Sequence, residues 1–89
     1  MNYSQHAQIR CQQRAIPPLI CQWLREFGAE TESHGAIKRF FDHAAKRRLA
    51  AVVGAQVVDR LGNLLNAYLV EGEEQVITVG HRTRRIKRH

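Results

Sequence analysis

Ala67-Tyr68-Leu69-Val70-Glu71-Gly72-Glu73-Glu74-Gln75-Val76-Ile77-Thr78-Val79-Gly80 reads as a β-hairpin. Ala67 to Val70 is one strand, Gln75 to Gly80 the other, and Glu71-Gly72-Glu73-Glu74 the turn between them. Val76-Ile77-Thr78-Val79 is apolar or β-branched on both faces, which suits a strand lying centrally in its sheet. Upstream, helical spacing dominates. Helices first and most strands last predict an α+β fold, with N-terminal helices packed on a small antiparallel sheet that ends in this hairpin.

Working outward, residues 4–14 read as a helix with Ser4 as its N-cap. Ile16-Pro17-Pro18 interrupts it, and the prolines suit the start of a second helix, where a missing N–H costs nothing. Ile20, Trp23, Leu24 and Phe27 then recur at i, i+3, i+4, i+7, which lays one apolar stripe along that helix. Gly28 stands ready as its C′ residue, and Trp23 is expected to anchor the core. Glu30 to His34 is polar and suits an edge strand or a loop. Ile37 to Phe41 has strand propensity, and Asp42 is a good N-cap for a third helix carrying Ala45, Leu49, Val52 and Val53. Val57, Leu61 and Leu64 or Leu65 suggest a short fourth helix, weakened by Gly62 and Asn63.

The chain has 89 residues, which predicts a single α+β domain over 1–81 followed by a basic tail over 82–89. No apolar run is long enough to cross a membrane, and residues 1–14 are polar, unlike a secretory leader. Cys11 and Cys21 lack the spacing of a zinc site and the density of a secreted scaffold. They are expected as reduced thiols in a cytoplasmic protein, a Cys11–Cys21 bridge being the lesser alternative. His6, His34, His43, His81 and His89 show no paired ligand spacing, so neither a metal nor another cofactor is expected.

Charge is the most informative property. Fourteen Lys and Arg face eight Asp and Glu, a net charge of +6. Arg82, Arg84, Arg85, Lys87 and Arg88 crowd the C-terminal end with no acid among them, and Lys46-Arg47-Arg48 form a second cluster. Arg10 and Arg14 lie in a stretch with no acid before Glu26. Basic clusters with the acids held elsewhere are the footprint of phosphate binding, so these ten residues are the candidate nucleic-acid contacts, with RNA ahead of DNA. His6, Arg10 and Arg14 follow one another at i, i+4, i+8 and form a stripe at the edge of the buried helix face. A guanidinium there needs an acceptor, either a protein group or a ligand phosphate.

His81 and Arg82 close the last strand. Strand alternation sets His81 on the face of Ile77 and Val79, and Arg82 on that of Thr78 and Val76. A histidine can move a proton near neutral pH, and an arginine can stabilise charge growing on a phosphate, so His81, His6 and Arg82 are the candidate catalytic set for RNA cleavage without metal. A hydrogen-bonded structural histidine is the plainer reading. Phe40, Phe41 and Tyr68 could stack bases if exposed, although core packing is their commoner role.

Tyr3-Ser4-Gln5-His6-Ala7-Gln8-Ile9-Arg10, then Gln12-Gln13-Arg14 and Ile16, resembles the opening of a bacterial domain-of-unknown-function family of small proteins. Val76-Ile77-Thr78-Val79-Gly80-His81-Arg82 with Arg84-Arg85-Ile86 resembles its close, as do Phe41-Asp42, the basic helix that follows, and Ala67-Tyr68-Leu69-Val70. Ala15 stands where relatives often have glycine. That family is similar to the RelE-like and BrnT-like toxins of toxin–antitoxin pairs. The resemblance implies a RelE-like α+β fold and a ribonuclease, acting free or on the ribosome, held in check by a small acidic antitoxin. The positions matching its pattern are His6, Arg10, Arg14, His81, Arg82 and Arg85. The expectation is therefore a toxin-like RNA-binding protein, with a non-enzymatic module for nucleic acid or an acidic protein as the alternative.

Overall fold

Ser4 opens the first helix as expected: its hydroxyl accepts from the Ala7 N–H at 3.0 Å and donates to the Ile77 carbonyl at 2.9 Å. One side chain thus caps a helix and ties it to the last strand. The computed structural model describes residues 2–82. In chain order these form β1 (Asn2–Tyr3), α1 (Gln5–Gln13), α2 (Pro18–Phe27), β2 (Ala29–Ser33), β3 (Ala36–Phe40), α3 (His43–Val53), α4 (Ala55–Leu61), a 3-10 turn (Gly62–Asn66), β4 (Ala67–Glu71) and β5 (Gln75–His81).

The five strands lie in the order β1-β5-β4-β3-β2. Strands β2 to β5 are an antiparallel meander, and the two-residue β1 runs parallel to β5 along its outer edge. This is the α+β class read from the sequence. Residues 30–33 of the polar stretch belong to an edge strand, closed by a tight turn in which His34 (φ 53°) and Gly35 (φ 79°) are both left-handed. Asp42 caps α3 through its carboxylate, which accepts from the Ala45 N–H at 2.8 Å.

A single core joins the helices to one face of the sheet. Ala7, Ile16, Ile20, Cys21, Leu24, Phe41, Ala45, Leu49 and Leu65 meet the alternate strand residues Ala67, Leu69, Val76 and Val79. Trp23 is a correction: it is half-buried at the margin, because the buried arc of α2 centres on Ile20, Cys21 and Leu24. A cysteine packs as a small hydrophobe and takes the inward position. Gly28 is a second correction. It ends α2 in extended geometry (φ −68°, ψ 154°), so it is needed for space, not for handedness. A Cβ there would collide with the Leu24 carbonyl and press on that of Phe40, at 3.2 Å.

The hairpin is longer than its composition suggests. Glu71 belongs to β4 and is buried, and the turn narrows to 72–74, with the Gly72 N–H donating to the Gln75 carbonyl at 2.8 Å. The β4–β5 register slips at this point: Val70 pairs with Thr78, but Glu71 pairs with Val76, so Ile77 is an extra residue on β5. That bulge lets Val76 and Val79, three apart, both face the core. It also removes Ile77 from the face shared by Val79 and His81.

Candidate nucleic-acid interface

Register decides which side chains share a face. Glu30, Arg39, Leu69 and Val79 form one row across the sheet, and Ala29, Phe40, Tyr68 and Gly80 form the next. The first row faces the helices; the second faces away. Phe41 is buried in the core, as core packing requires. Phe40 and Tyr68, by contrast, are half-buried and neither belong to the core nor pack against it. They lie side by side on the face opposite the helices. The Lys38 ammonium sits 4.7 Å from the Tyr68 ring centroid, and the Arg82 guanidinium 5.3 Å from that of Phe40. Such contacts contribute about 0.5–1 kcal/mol each at exposed sites.

Gly80 explains how Tyr68 lies. A Cβ on Gly80 would meet the Tyr68 hydroxyl at 2.9 Å and its ring carbons at 3.0 and 3.1 Å. Without one, the hydroxyl end of the ring lies close over the β5 backbone, and the Lys38 ammonium sits over the ring. The main-chain N–H of Arg82 donates to the Asn66 carbonyl at 2.7 Å, which fixes where β5 ends.

The helix-facing row carries its own charges. Glu71 is buried, with its side chain 5% exposed, and accepts from Arg39 Nε; Arg39 also reaches Glu30 at 2.7 Å, and Arg25 Nε lies 3.5 Å from Glu71. Burial works against the Arg39 charge, but hydrogen bonding and proximity to Glu71 and Glu30 outweigh it and hold its pKa above the ordinary value. Sequence reasoning missed this cluster. An acid in a stretch that reads as Glu-Gly-Glu-Glu looks like turn composition, and only the pairing of β3 with β4 brings Arg39 beside it.

The cationic candidates gather unevenly. α1 runs alongside β5, with Ser4 at Ile77, Arg10 at Val79 and Arg14 at His81. Arg10 finds a protein acceptor: its Nε donates to the Val79 carbonyl at 3.4 Å. His81 lies 3.0 Å through Nε2 from the Arg14 carbonyl. A carbonyl can only accept, so Nε2 is the donor. His6 is exposed at the other end of α1, eight residues or ~12 Å of helix rise from Arg14. The two histidines are therefore not brought together as an acid–base pair.

Lys46, Arg47 and Arg48 lie in the first turns of α3, which leaves the sheet just after Phe40. Arg48 donates to the Phe27 carbonyl at 2.8 Å and so satisfies the C-terminal end of α2. Arg14, His81, Arg82, Arg48 and the start of α3 thus occupy one end of the sheet. Arg84, Arg85, Lys87 and Arg88 lie outside the described residues and follow Arg82 in the chain. The acids are mostly elsewhere or engaged. Glu32, Glu73 and Glu74 are at the opposite end, Glu30 and Glu71 pair with Arg39, and Asp42 caps α3. Glu26 and Asp59 remain on α2 and α4.

Among the described residues, no three His, Cys, Asp or Glu side chains come together as a metal site, and no helix is long and apolar enough to cross a membrane. Both cysteines are free. No protein-family model, curated protein or solved structure matches the chain.

Proposed function

We propose that this chain is an RNA-binding protein that holds a phosphodiester strand at the basic end of its sheet. One observation carries the reading: Arg14, Arg48 and Arg82 converge on the end from which Arg84, Arg85, Lys87 and Arg88 continue, while Glu32, Glu73 and Glu74 sit at the other. A polarised surface of this kind attracts a polyanion and orients it. Arg10 and Arg48 have smaller parts, because Arg10 Nε is committed to the Val79 carbonyl and Arg48 Nε and Nη2 to that of Phe27.

The toxin-like ribonuclease implied by the resemblance has less support. His81 is engaged through Nε2 with the Arg14 carbonyl, and His6 is a helix length away, so a two-histidine mechanism has no second partner. Binding without cleavage is the reading the geometry favours.

The test is fluorescence anisotropy with a labelled oligouridylate across a salt titration. Removing residues 83–89 takes away four cations, Arg84, Arg85, Lys87 and Arg88. The log–log salt slope should flatten by about 2.8, at ~0.7 per phosphate contact on a single strand. An unchanged slope removes the tail from the interface, and absence of binding at low salt overturns the reading. The same RNA is incubated with protein in EDTA and should stay intact. Cleavage that disappears in His81→Ala would replace binding with catalysis.

A further inference from the structure

Two aromatic rings on a β-sheet are normally placed to pack against something. Phe40 and Tyr68 are directly paired across β3 and β4, and among the described residues neither touches the core. Val70 and Thr78 flank them on the same face and are likewise half-buried, and Lys38 and Arg82 supply a cation over each ring. Among the described strand residues no acid shares this face: Glu30, Glu32 and Glu71 belong to the opposite rows of β2 and β4. Gly80 makes room for the hydroxyl end of Tyr68 beside the β5 backbone, and the ring is half-buried with the Lys38 ammonium over it.

Resting on the RNA-binding reading above, we infer that this face is a stacking platform for the unpaired bases of single-stranded RNA, with Tyr68 and Phe40 as the base-stacking residues and Lys38 and Arg82 as phosphate contacts. The occupant follows from charge and shape. Aromatic rings bracketed by cations fit a ligand that alternates planar bases with phosphates. A duplex keeps its bases stacked inside the helix and offers no free π-face to a flat sheet. The cations now over the rings are weakly held, and they can turn to phosphates as bases take their place.

Anisotropy with a labelled oligouridylate and with a labelled RNA duplex separates this inference from the reading beneath it. The oligouridylate should bind more tightly than the duplex. Tyr68→Leu should weaken oligouridylate binding roughly 5- to 150-fold while leaving the salt slope unchanged, because stacking releases no counterions. Tyr68→Phe should bind like the parent protein, and Arg82→Gln should reduce the slope by about 0.7. Circular dichroism checks each fold; were Tyr68→Leu to unfold, Phe40→Leu carries the same expectation. Equal affinity for the two probes, or unchanged oligouridylate affinity in both leucine variants, overturns the stacking platform and leaves RNA binding standing. Failure to bind either probe overturns both and leaves an acidic protein as the partner to seek.

Discussion

Removing the Glu71 carboxylate should be among the most damaging single changes in this protein. The side chain is 5% exposed, and it holds Arg39 (17% exposed) and Arg25 (34% exposed) against the helix-facing side of the sheet. Breaking a buried ion pair from one side typically costs about 3–5 kcal/mol. The figure is smaller here: Arg39 retains Glu30, and Arg25 is exposed enough to regain water. About 2–3 kcal/mol is therefore expected for Glu71→Ala. Unfolding entropy for 89 residues near 60 °C is about 190 cal/mol/K, so the loss corresponds to ~10–16 °C in Tm. Thermal melts followed by circular dichroism and by the fluorescence of Trp23, the only tryptophan, measure it. Arg39→Leu alone should also destabilise, by stranding the anion. Glu71→Leu combined with Arg39→Leu should recover much of the loss, because the desolvation cost disappears together with the attraction. A Tm drop under ~5 °C for Glu71→Ala, or a double variant as unstable as the sum of its parts, would refute the argument.

Other outcomes follow from the same structure. Ala15 is held at φ 53°, a left-handed conformation that costs an alanine ~1–2 kcal/mol. Ala15→Gly should raise Tm by about 3–5 °C once glycine's added chain entropy is deducted, and a lower Tm would contradict the strain. Asp42→Ala removes the α3 cap and should cost about 1 kcal/mol, read as a lower urea midpoint with an unchanged slope. Gly28→Ala drives a methyl into the Leu24 carbonyl and should destabilise by ~2 kcal/mol or more, although its dihedrals suit alanine. Burial, aided by nearby Cys11, pushes the Cys21 thiol from its ordinary 9.0 up to about 11. The stability tied to the neutral thiol is therefore complete below pH 9 and lost as pH rises through 11. Burial raises Tyr3 in the same direction, so Cys21→Ala should show a shallower alkaline decline in urea midpoint, not an absent one.

Much of the fold was legible in local chemistry. Ser4, Pro17-Pro18 and Asp42 mark helix starts by what their own atoms do, and the stretch from Ala67 to Gly80 is a hairpin as read. What escaped depends on partners distant in sequence. Glu71 looks like turn material until Arg39 and Arg25 arrive beside it. Phe40 and Phe41 are adjacent and chemically alike, yet Phe41, just past the end of β3, is buried while Phe40 is not; the pairing of Phe40 with Tyr68 tells them apart. Trp23 is at the margin and Cys21 is buried, because size does not determine which side of an apolar stripe points inward. The bulge at Ile77 has no signature in its own residues, and it changes which neighbours His81 shares. For the candidate site, the clustering of cations was readable in composition. Their convergence on one sheet end was not, since it arises from α1 lying along β5 and α3 leaving β3 at the same level.

The pairing of β1 and α1 with β5 also has a bearing on synthesis. Ser4 is joined to Ile77, 73 residues later, so α1 cannot find its place until β5 has been made. Its exposed apolar surface must wait for the final strand, and the loop it closes spans nearly the whole described chain. Topologies of this kind fold slowly, because the entropy of closure is spent before the contacts that reward it exist. A nascent chain stalled before Gln75 would present β4 as an open edge, vulnerable to association with its neighbours until β5 pairs with it.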